Sequence, residues 1–179
     1  MSRFKIIFSG PAGAGKSAAI AAISDVTPVN ALADADAADR NRASATNVGM
    51  EHGTTLLSDG STLHLYGTTG EEPLEAARDT LMAGSTGLVL LIDGSREDPL
   101  ADLVQFVGTF ERFIAGTGLA IGVTHADRAG SLPLKEMAEL LQQSGFGTVP
   151  VFEVDARDRR DVSMLIEALL NLNDPVAQP

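Results

Sequence analysis

Residues 8–20, which read FSGPAGAGKSAAI, carry glycines, a lysine and a serine at a spacing that suits a phosphate chain. They contain the pattern G-x-x-x-x-G-K-S, in which glycines allow backbone N–H groups to turn inward around phosphate oxygens. Lys16 would place a positive charge on the β- and γ-phosphates of a nucleotide, and Ser17 would place a hydroxyl on Mg²⁺. The residues expected to contact the phosphates are Gly10, Ala12, Gly13, Ala14, Gly15, Lys16, Ser17 and Ala18.

This motif acts on phosphates only where a strand precedes it and a helix follows it, and the sequence predicts both elements. FKIIFS (4–9) is an apolar run typical of a buried strand, and the AAIAAI segment after Ser17 favours a helix. The alternative is a glycine-rich turn with a chance lysine, which this context disfavours. We therefore expect a phosphate-binding loop between the first strand and the first helix.

Apolar runs that alternate with helix-period segments predict an α/β fold with a mostly parallel sheet. Further strands are predicted at 87–93, 118–124 and 148–154, and helices at 99–114 and 162–170. Asp98 is a good N-cap for the first of these helices, and Pro99 suits its first position. The residues expected on the buried face of this helix are Leu100, Leu103, Val104 and Val107.

Two segments interrupt this alternation. Residues 54–67 consist of two strand-like halves around Asp59–Gly60, and Asp-Gly between such halves predicts a hairpin. Residues 30–47 are rich in Ala and Asp and have no clear periodicity, so we expect a mobile loop there. A short exposed helix is the alternative, because Ala favours helix.

The length and the charge of the chain limit its function. Its 179 residues suit one domain that spans 1–179, and its formal net charge of −11 disfavours binding to nucleic acid or to an anionic membrane surface. The absence of Cys fits a reducing compartment. No apolar run approaches the roughly 18 residues of a membrane-spanning helix, and no lipidation motif is present. We expect a cytoplasmic protein without a direct membrane anchor.

Four short motifs follow the phosphate loop in order. They are ATNVGME (45–51), GTTGEE (67–72), THAD (124–127) and DAR (155–157). With these motifs the chain resembles the Ras-like small GTPases, and most closely their bacterial branch of MglA-like and signalling-cassette GTP-binding proteins. The resemblance implies a P-loop NTPase of the Ras-like G-domain type, which is a three-layer α/β/α fold with a six-stranded, mostly parallel sheet and one antiparallel hairpin pair. It also implies a first switch at about 28–50 and a second at about 67–82.

The resemblance implies GTP or GDP as ligand, with Mg²⁺, and assigns residues to the third phosphate. Gly70 would meet the γ-phosphate through its N–H, and Glu71 takes the catalytic position where the family carries a water-orienting Gln. Lys16 and Gly70 would share in catalysis with Glu71. Thr46 is the best candidate for the threonine that binds Mg²⁺ and the γ-phosphate, and Ser44 is the second candidate.

For the base, THAD resembles N-K-x-D and DAR resembles S-A-K. Asp127 would accept the N1–H and the 2-amino group of guanine, and the backbone N–H of Ala156 would read the guanine O6. Thr124, His125 and Arg157 complete the residues expected to contact the nucleotide. Asp127 alone is also compatible with an ordinary cap at a strand end.

Departures from the family pattern affect the metal and the chemistry. Gly67 replaces the Asp that holds Mg²⁺ through water, a replacement known in the MglA-like branch, and it predicts weaker Mg²⁺ dependence. Glu71 can only accept hydrogen bonds where Gln can also donate, so we expect slow unaided hydrolysis. An arginine from the first loop, Arg40 or Arg42, would raise the rate. Both arginines are also explained as solvated charges that balance nearby aspartates.

Three functions remain open on the sequence. The first is a GTP/GDP-dependent switch, for which the resemblance implies a roadblock-type activator and an effector that binds the switch regions. The helix of the second switch would present Arg78 to such a partner. The second is a P-loop ATPase or small-molecule kinase in which Asp93, at the end of a predicted strand, holds the metal. The third is a pseudo-GTPase that binds nucleotide without useful hydrolysis, in line with Gly67 and Glu71.

Overall fold

The sheet is seen in a computed structural model that describes residues 3–30, 50–68, 81–128 and 133–172. Its described strands are β1 (Arg3–Ser9), β2 (Val29–Asn30), β3 (Glu51–Leu56), β4 (Thr62–Gly67), β5 (Gly87–Asp93), β6 (Gly118–Thr124) and β7 (Val151–Glu153). They form one sheet in the order β2-β3-β4-β1-β5-β6-β7. Strand β3 is antiparallel to both of its neighbours, and the other described pairings are parallel.

The predicted class, α/β with a mostly parallel sheet and one antiparallel hairpin, is confirmed. Six strands have three residues or more, as predicted, and the two-residue β2 adds an edge strand. Residues 29–30, which form β2, were expected to belong to the first switch at about 28–50. Residues 31–49 of that segment lie outside the described residues.

Helices cover both faces of the sheet. Those with described boundaries are α1 (Lys16–Ile23), α2 (Pro99–Thr109), α3 (Glu111–Gly116), α4 (Leu134–Gln143) and α5 (Arg159–Leu172). Helices α1 and α5 pack on one face, and α2, α3 and α4 pack on the other, which gives three layers. Helix α4 was not predicted from the sequence, and α5 is longer than the helix predicted at 162–170.

The central strands are apolar along their whole length because both of their faces are covered. In β5, Leu88, Leu90 and Ile92 pack against the α2–α4 layer, and Val89 and Leu91 pack against α1 and α5. This arrangement fixes the carboxyl ends of β1, β5 and β6 side by side. The predicted phosphate loop leaves the sheet at that edge.

The predicted helix 99–114 is wrong as one continuous element. It divides at Phe110, whose backbone angles of −108° and 11° depart from a regular helix and whose ring is buried. The predicted cap is confirmed, since the Asp98 side chain accepts from the Ala101 N–H at 2.9 Å. Leu103 and Val107 are buried as expected, but Val104 is 52% exposed and does not belong to the core.

Strand β7 is shorter than the predicted strand 148–154. Pro150 comes directly before it and has no N–H to donate to a neighbouring strand. The Pro150 carbonyl still accepts from the Ile121 N–H at 2.9 Å, so the chain approaches the sheet one residue before β7 begins. Glu153, the last residue of β7, pairs with Val123 near the end of β6, so the DAR motif starts beside that end.

The predicted hairpin at Asp59–Gly60 is confirmed as the connection of β3 and β4. Asp59 accepts from the Ser61 N–H at 2.8 Å, and Gly60 has the positive φ of 79° that such a turn requires. On the sheet face opposite α1, the Tyr66 ring stacks on His52 with centroids 4.7 Å apart. The Lys5 ammonium lies 5.1 Å from the centroid of the same ring.

Candidate functional site

The phosphate loop connects β1 to α1, and its glycines adopt backbone angles that favour glycine. Gly10, Gly13 and Gly15 have φ of 136°, 81° and 96°. A Cβ at Gly10 would lie 2.0 Å from the Leu91 carbonyl oxygen, so only glycine fits against β5 there. A Cβ at Gly15 would lie 2.8 Å from the Cβ of Ala156. The loop is therefore packed tightly against β5 and against the turn that follows β7.

Lys16 is the first residue of α1, and its side chain folds back over the loop. Its Nζ donates to the carbonyl oxygens of Gly10 at 2.8 Å and Pro11 at 2.7 Å, and the residue is only 7% exposed. Burial lowers the Lys16 pKa to about 8, while the charge of Glu51 acts in the opposite direction. The ammonium is thus held inside the loop by two of the loop's own carbonyl groups.

Two further residues at the start of α1 have the expected positions. Ser17 is exposed on the first turn of the helix, where its hydroxyl is accessible to a metal ion. Ala18 is half-buried and lines the neighbouring pocket. The predicted phosphate loop therefore lies between a strand and a helix, as the sequence predicted, and its binding of phosphate stays a prediction.

Thr124, at the end of β6, connects the phosphate loop to the predicted base site. Its Oγ1 donates to the Ala14 carbonyl at 2.9 Å, and it lies 3.0 Å from Nδ1 of His125. Because a hydroxyl has a single proton, the bond to Ala14 leaves His125 as the donor in the second contact. We therefore assign a proton to Nδ1 of His125.

The pocket beside the phosphate loop has a volume of about 550 Å³. The predicted residues that line it together are Gly15, Ala18, Thr124, His125, Asp127, Ala156 and Arg157. They come from α1, from the end of β6 and from the turn after β7, which are far apart in the sequence. The structure thus brings the THAD and DAR motifs to one cavity, and Gly15 and Ala18 join this cavity to the phosphate loop.

His125, which lines this pocket, also contacts Asp93. His125 Nδ1 lies 3.3 Å from Asp93 Oδ1, and His125 has a φ of 59°, the only positive φ of a described residue other than glycine. Ser95 donates to the same carboxylate from its N–H at 2.9 Å and its hydroxyl at 2.6 Å. Burial opposes the charge on Asp93, but the Ser95 hydrogen bonds prevail and its pKa is lowered.

The turn after β7 is held by its own charges. The Arg157 guanidinium donates to both oxygens of Asp155, at 2.9 and 2.8 Å, and the Arg157 N–H donates to Oδ1 at 2.9 Å. These hydrogen bonds lower the Asp155 pKa to about 2. Asp161, on the first turn of α5, accepts from the Asp155 N–H at 2.8 Å. The turn therefore presents Ala156 to the pocket in a fixed position.

Gly67 ends β4 beside the phosphate loop. A Cβ at this position would lie 2.7 Å from Cδ1 of Ile20 and 3.8 Å from a carboxylate oxygen of Glu51. Glu51 is the cross-strand partner of Gly67 in the β3–β4 hairpin. Next along the chain, Thr68 is buried and donates from its N–H to the Phe8 carbonyl at 3.0 Å. The segment GTTGEE thus begins directly beside the strand that leads into the phosphate loop.

The residues expected at the third phosphate lie outside the described residues. They are Thr46, its alternative Ser44, Gly70 and Glu71, together with the arginines Arg40, Arg42 and Arg78. Within the described ranges, no group of three or more His, Asp or Glu side chains is placed to hold a metal ion. Ser17 is therefore the predicted metal ligand whose position is known.

Some residues of the site were not predicted. Glu153, Arg128 and Asp161 line the pocket, and Glu51 lies within electrostatic reach of Lys16. The first three have no motif of their own. Glu51 does have a signal, because counting outward from the Asp59–Gly60 turn places it opposite Gly67.

No protein-family model matches the chain, and no curated protein matches its sequence. Any functional conclusion therefore depends on the geometry of the site. In the part of the chain that the structure describes, no helix is long and apolar enough to cross a membrane.

Proposed function

We propose that this protein is a Ras-like GTP-binding protein of the P-loop class, which binds GTP and GDP with Mg²⁺ and hydrolyses GTP slowly. One observation carries the proposal: Gly15 belongs both to the phosphate loop and to the pocket lined by Asp127 and Ala156. A phosphate chain over Lys16 and a base in the 550 Å³ pocket would be joined through this residue. A glycine-rich turn with a chance lysine would need no such neighbouring pocket.

The pocket offers groups that suit guanine. The Asp127 carboxylate accepts hydrogen bonds, and guanine has two adjacent donors, N1–H and the 2-amino group, which adenine lacks. The N–H of Ala156 is held at the pocket by the Asp155–Arg157 turn and suits the acceptor O6. The His125 ring, fixed by Thr124 and Asp93, offers an aromatic surface to the base.

Binding of Mg²⁺ fits the donor set at the loop. Ser17 supplies a hydroxyl oxygen on the first turn of α1, and Mg²⁺ in such sites takes oxygen ligands and keeps several waters. When bound, the metal would neutralise charge on the β- and γ-phosphates. Lys16 and the N–H groups of the loop hold these phosphates and orient them.

An ATPase or kinase that uses Asp93 as its metal-holding carboxylate is the second candidate. Asp93 ends a strand next to β1, as that role requires. Its carboxylate, however, accepts two hydrogen bonds from Ser95 and contacts His125. Asp93 thus stabilises the loop after β5 and contacts His125, which lines the base pocket. This arrangement favours the GTP-binding proposal.

The experiment that tests the proposal is calorimetric binding of GDP, of the non-hydrolysable GTP analogue GppNHp and of the ATP analogue AppNHp, each with and without Mg²⁺. We expect binding of the guanine nucleotides and none of AppNHp. The Lys16→Ala variant should lose affinity at least about tenfold, because the buried positive charge is removed. Preference for AppNHp, or unchanged affinity in Lys16→Ala, would overturn the proposal.

Base recognition is tested by Asp127→Asn. The amide presents an NH₂ donor beside its carbonyl acceptor, where the carboxylate only accepts, so it suits a base with an oxygen at position 2, such as xanthine. We expect GDP affinity to fall by roughly 100-fold and xanthosine diphosphate affinity to rise, since a mismatched buried hydrogen bond costs about 1–3 kcal/mol. Arg128→Ala, at the rim of the same pocket, is the matched control and should keep the guanine preference.

The proposed activity is a switch between GTP and GDP states, read by a roadblock-type activator and an effector. A pseudo-GTPase that binds but does not turn over GTP differs from this proposal only in rate. Single-turnover hydrolysis of GTP distinguishes the two, with slow but measurable phosphate release expected for the switch. The Glu71→Gln variant should be faster, because Gln can both donate to and accept from the attacking water.

A further inference from the structure

Residue 67, where the resemblance would place an aspartate, has little room for a side chain. Its Cβ would lie 2.7 Å from Cδ1 of Ile20, which is fully buried under the hairpin. Gly53, on the adjacent strand, meets Ile20 in the same way, at 2.9 Å from Cγ2. The packing of α1 against β3 and β4 thus depends on two glycines, and a side chain at residue 67 would require Ile20 to move.

Glu51 fills the neighbouring space. It is paired with Gly67 across the β3–β4 ladder, and residues at paired positions project to the same face of a sheet. Its Cβ lies 3.6 Å and its Oε2 lies 3.8 Å from where the Cβ of residue 67 would be. The Glu51 carboxylate is therefore in van der Waals contact with the point at which a side chain at position 67 would begin.

Glu51 also lies on the side of the sheet that faces the start of α1. Ile20, which a Cβ at residue 67 would meet, is one helical turn after Lys16 on the same face of α1. Glu51 is half-buried, so solvent screens its charge only in part. A carboxylate thus lies on the α1 side of the sheet, beside the loop that carries both Lys16 and Ser17.

We propose that Glu51 supplies, from the neighbouring strand, the carboxylate that position 67 lacks, and that it holds the nucleotide-bound Mg²⁺ through water. This inference rests on the proposed GTP-binding function and extends it. Water-mediated contact by one carboxylate is typical of Mg²⁺, which dehydrates reluctantly. Glu51 is thus a positioning residue for the metal, with Ser17 as the direct oxygen ligand.

A different role for Glu51 would be to neutralise Lys16 alone. In that case its carboxylate would only repel the phosphates, and its removal would raise nucleotide affinity equally with and without Mg²⁺. A metal-directed role gives a different pattern, because the effect of removal appears only when Mg²⁺ is present. The two roles therefore predict different changes in nucleotide affinity when Glu51 is removed. Charge neutralisation predicts an equal rise with and without Mg²⁺, and the metal-directed role predicts a loss that appears only with Mg²⁺.

The experiment is calorimetric GDP binding to full-length wild type and Glu51→Gln, with Mg²⁺ and with EDTA. We expect the gain in affinity that Mg²⁺ confers to fall at least fivefold in Glu51→Gln, while affinity in EDTA stays equal or rises. Glu111→Gln, an exposed glutamate of α3 on the other side of the sheet, is the matched control and should behave as wild type. Replacement of Mg²⁺ by Mn²⁺ gives a second measurement, in which electron paramagnetic resonance counts bound metal directly.

A rescue variant tests whether the two positions share one space. In the Glu51→Gln background, Ile20→Val removes the obstructing Cδ1 atom and Gly67→Asp adds a carboxylate at position 67. We expect this triple variant to regain the Mg²⁺ effect. If it does not fold, the Mn²⁺ affinity of the GDP complex in the single variant Glu51→Gln decides the matter.

The outcomes separate the two proposals. If wild type binds no guanine nucleotide, the proposed function fails, whatever Glu51 does. If wild type binds GDP but Glu51→Gln keeps the full Mg²⁺ gain and Mn²⁺ affinity, the inference about Glu51 is overturned and the GTP-binding proposal stands. An equal rise in affinity with and without Mg²⁺ would likewise overturn it, in favour of charge neutralisation.

Discussion

Gly10 and Gly13 share a positive φ, but they differ in what surrounds them. A Cβ at Gly13 would meet nothing within 4 Å, whereas a Cβ at Gly10 would meet the Leu91 carbonyl at 2.0 Å. Gly13→Ala should therefore cost only the strain of a left-handed residue, about 1–2 kcal/mol. Gly10→Ala should cost more, since the loop must also move away from β5. Urea unfolding of both variants measures the difference, and equal losses would contradict the close approach.

If a nucleotide binds over Lys16 as proposed, its affinity should depend on pH. Burial lowers the Lys16 pKa to about 8 in the free protein, and an adjacent phosphate chain raises it again because it favours the charged form. The complex thus holds the proton more tightly, so affinity is full below pH 8 and falls as pH rises above it. We expect GDP affinity to fall roughly tenfold between pH 7 and pH 9. Calorimetry in buffers of different ionisation enthalpy should also detect proton uptake.

Lys16→Arg is the control for this pH dependence. Arginine stays protonated throughout that range, so its GDP affinity, although weaker, should be flat from pH 7 to pH 9. A slope as steep as that of wild type would assign the titration to another group.

Among individual residues, the sequence identified those residues of the candidate site that belong to one contiguous motif. Gly10, Lys16 and Ser17 follow from one contiguous motif, because the loop, strand and helix that define it are adjacent in the chain. Glu153 and Asp161 could not be predicted, because they reach the pocket only through the packing of β7 and α5 against β6.

Among the elements, the end of α1 is tied to β3 and α5 through Asp25. One Asp25 oxygen accepts from the Thr55 hydroxyl and the Leu56 N–H, both at 2.8 Å, and the other lies 2.9 Å from the Arg159 guanidinium. These contacts lower the Asp25 pKa, first through the Leu56 hydrogen bond and then through Thr55 and Arg159. A helix that carries the phosphate loop at one end is thus held to two elements at the other.

Asp25→Asn should lower the melting temperature by about 2–4 °C at pH 7, because an amide cannot accept from all three donors. The Asp25 pKa is lower in the folded protein than its unfolded value of 3.8, so its contribution is complete above that value. It is lost as pH falls through the lowered pKa, and the difference from wild type should shrink below about pH 4. Asp98→Asn is the control, since an asparagine keeps the N-cap bond to Ala101.

Strands with long apolar runs were predicted well, and elements whose bounds depend on tertiary contacts were not. The strands β5 and β6 match their predicted bounds, because burial on both faces leaves an uninterrupted apolar run. The break at Phe110 has no sequence signal of its own, since its ring turns into the core beside α2 and α3. Strand β2 depends on pairing with β3, and two residues carry too little pattern to predict it.

At the scale of the whole molecule, a bound guanine nucleotide would contact the ends of β1, β6 and β7 together, and so should stabilise the entire sheet. At 100 times its dissociation constant, GDP should add about 2.7 kcal/mol to the free energy of unfolding. For a chain of this size that corresponds to a rise in melting temperature of about 5–10 °C. Differential scanning calorimetry checks this, with AppNHp as the negative control. Absence of a rise in wild type with GDP would contradict the proposed site.

The chain contains a single tyrosine and no tryptophan. That tyrosine, Tyr66, directly precedes Gly67, stacks on His52 and lies beneath the Lys5 ammonium. Under ultraviolet excitation near 280 nm, essentially all intrinsic fluorescence of the protein therefore arises from one ring on the β3–β4 hairpin. Tyr66 can therefore serve as an intrinsic fluorescent probe of the end of β4, beside which we place the carboxylate that holds Mg²⁺.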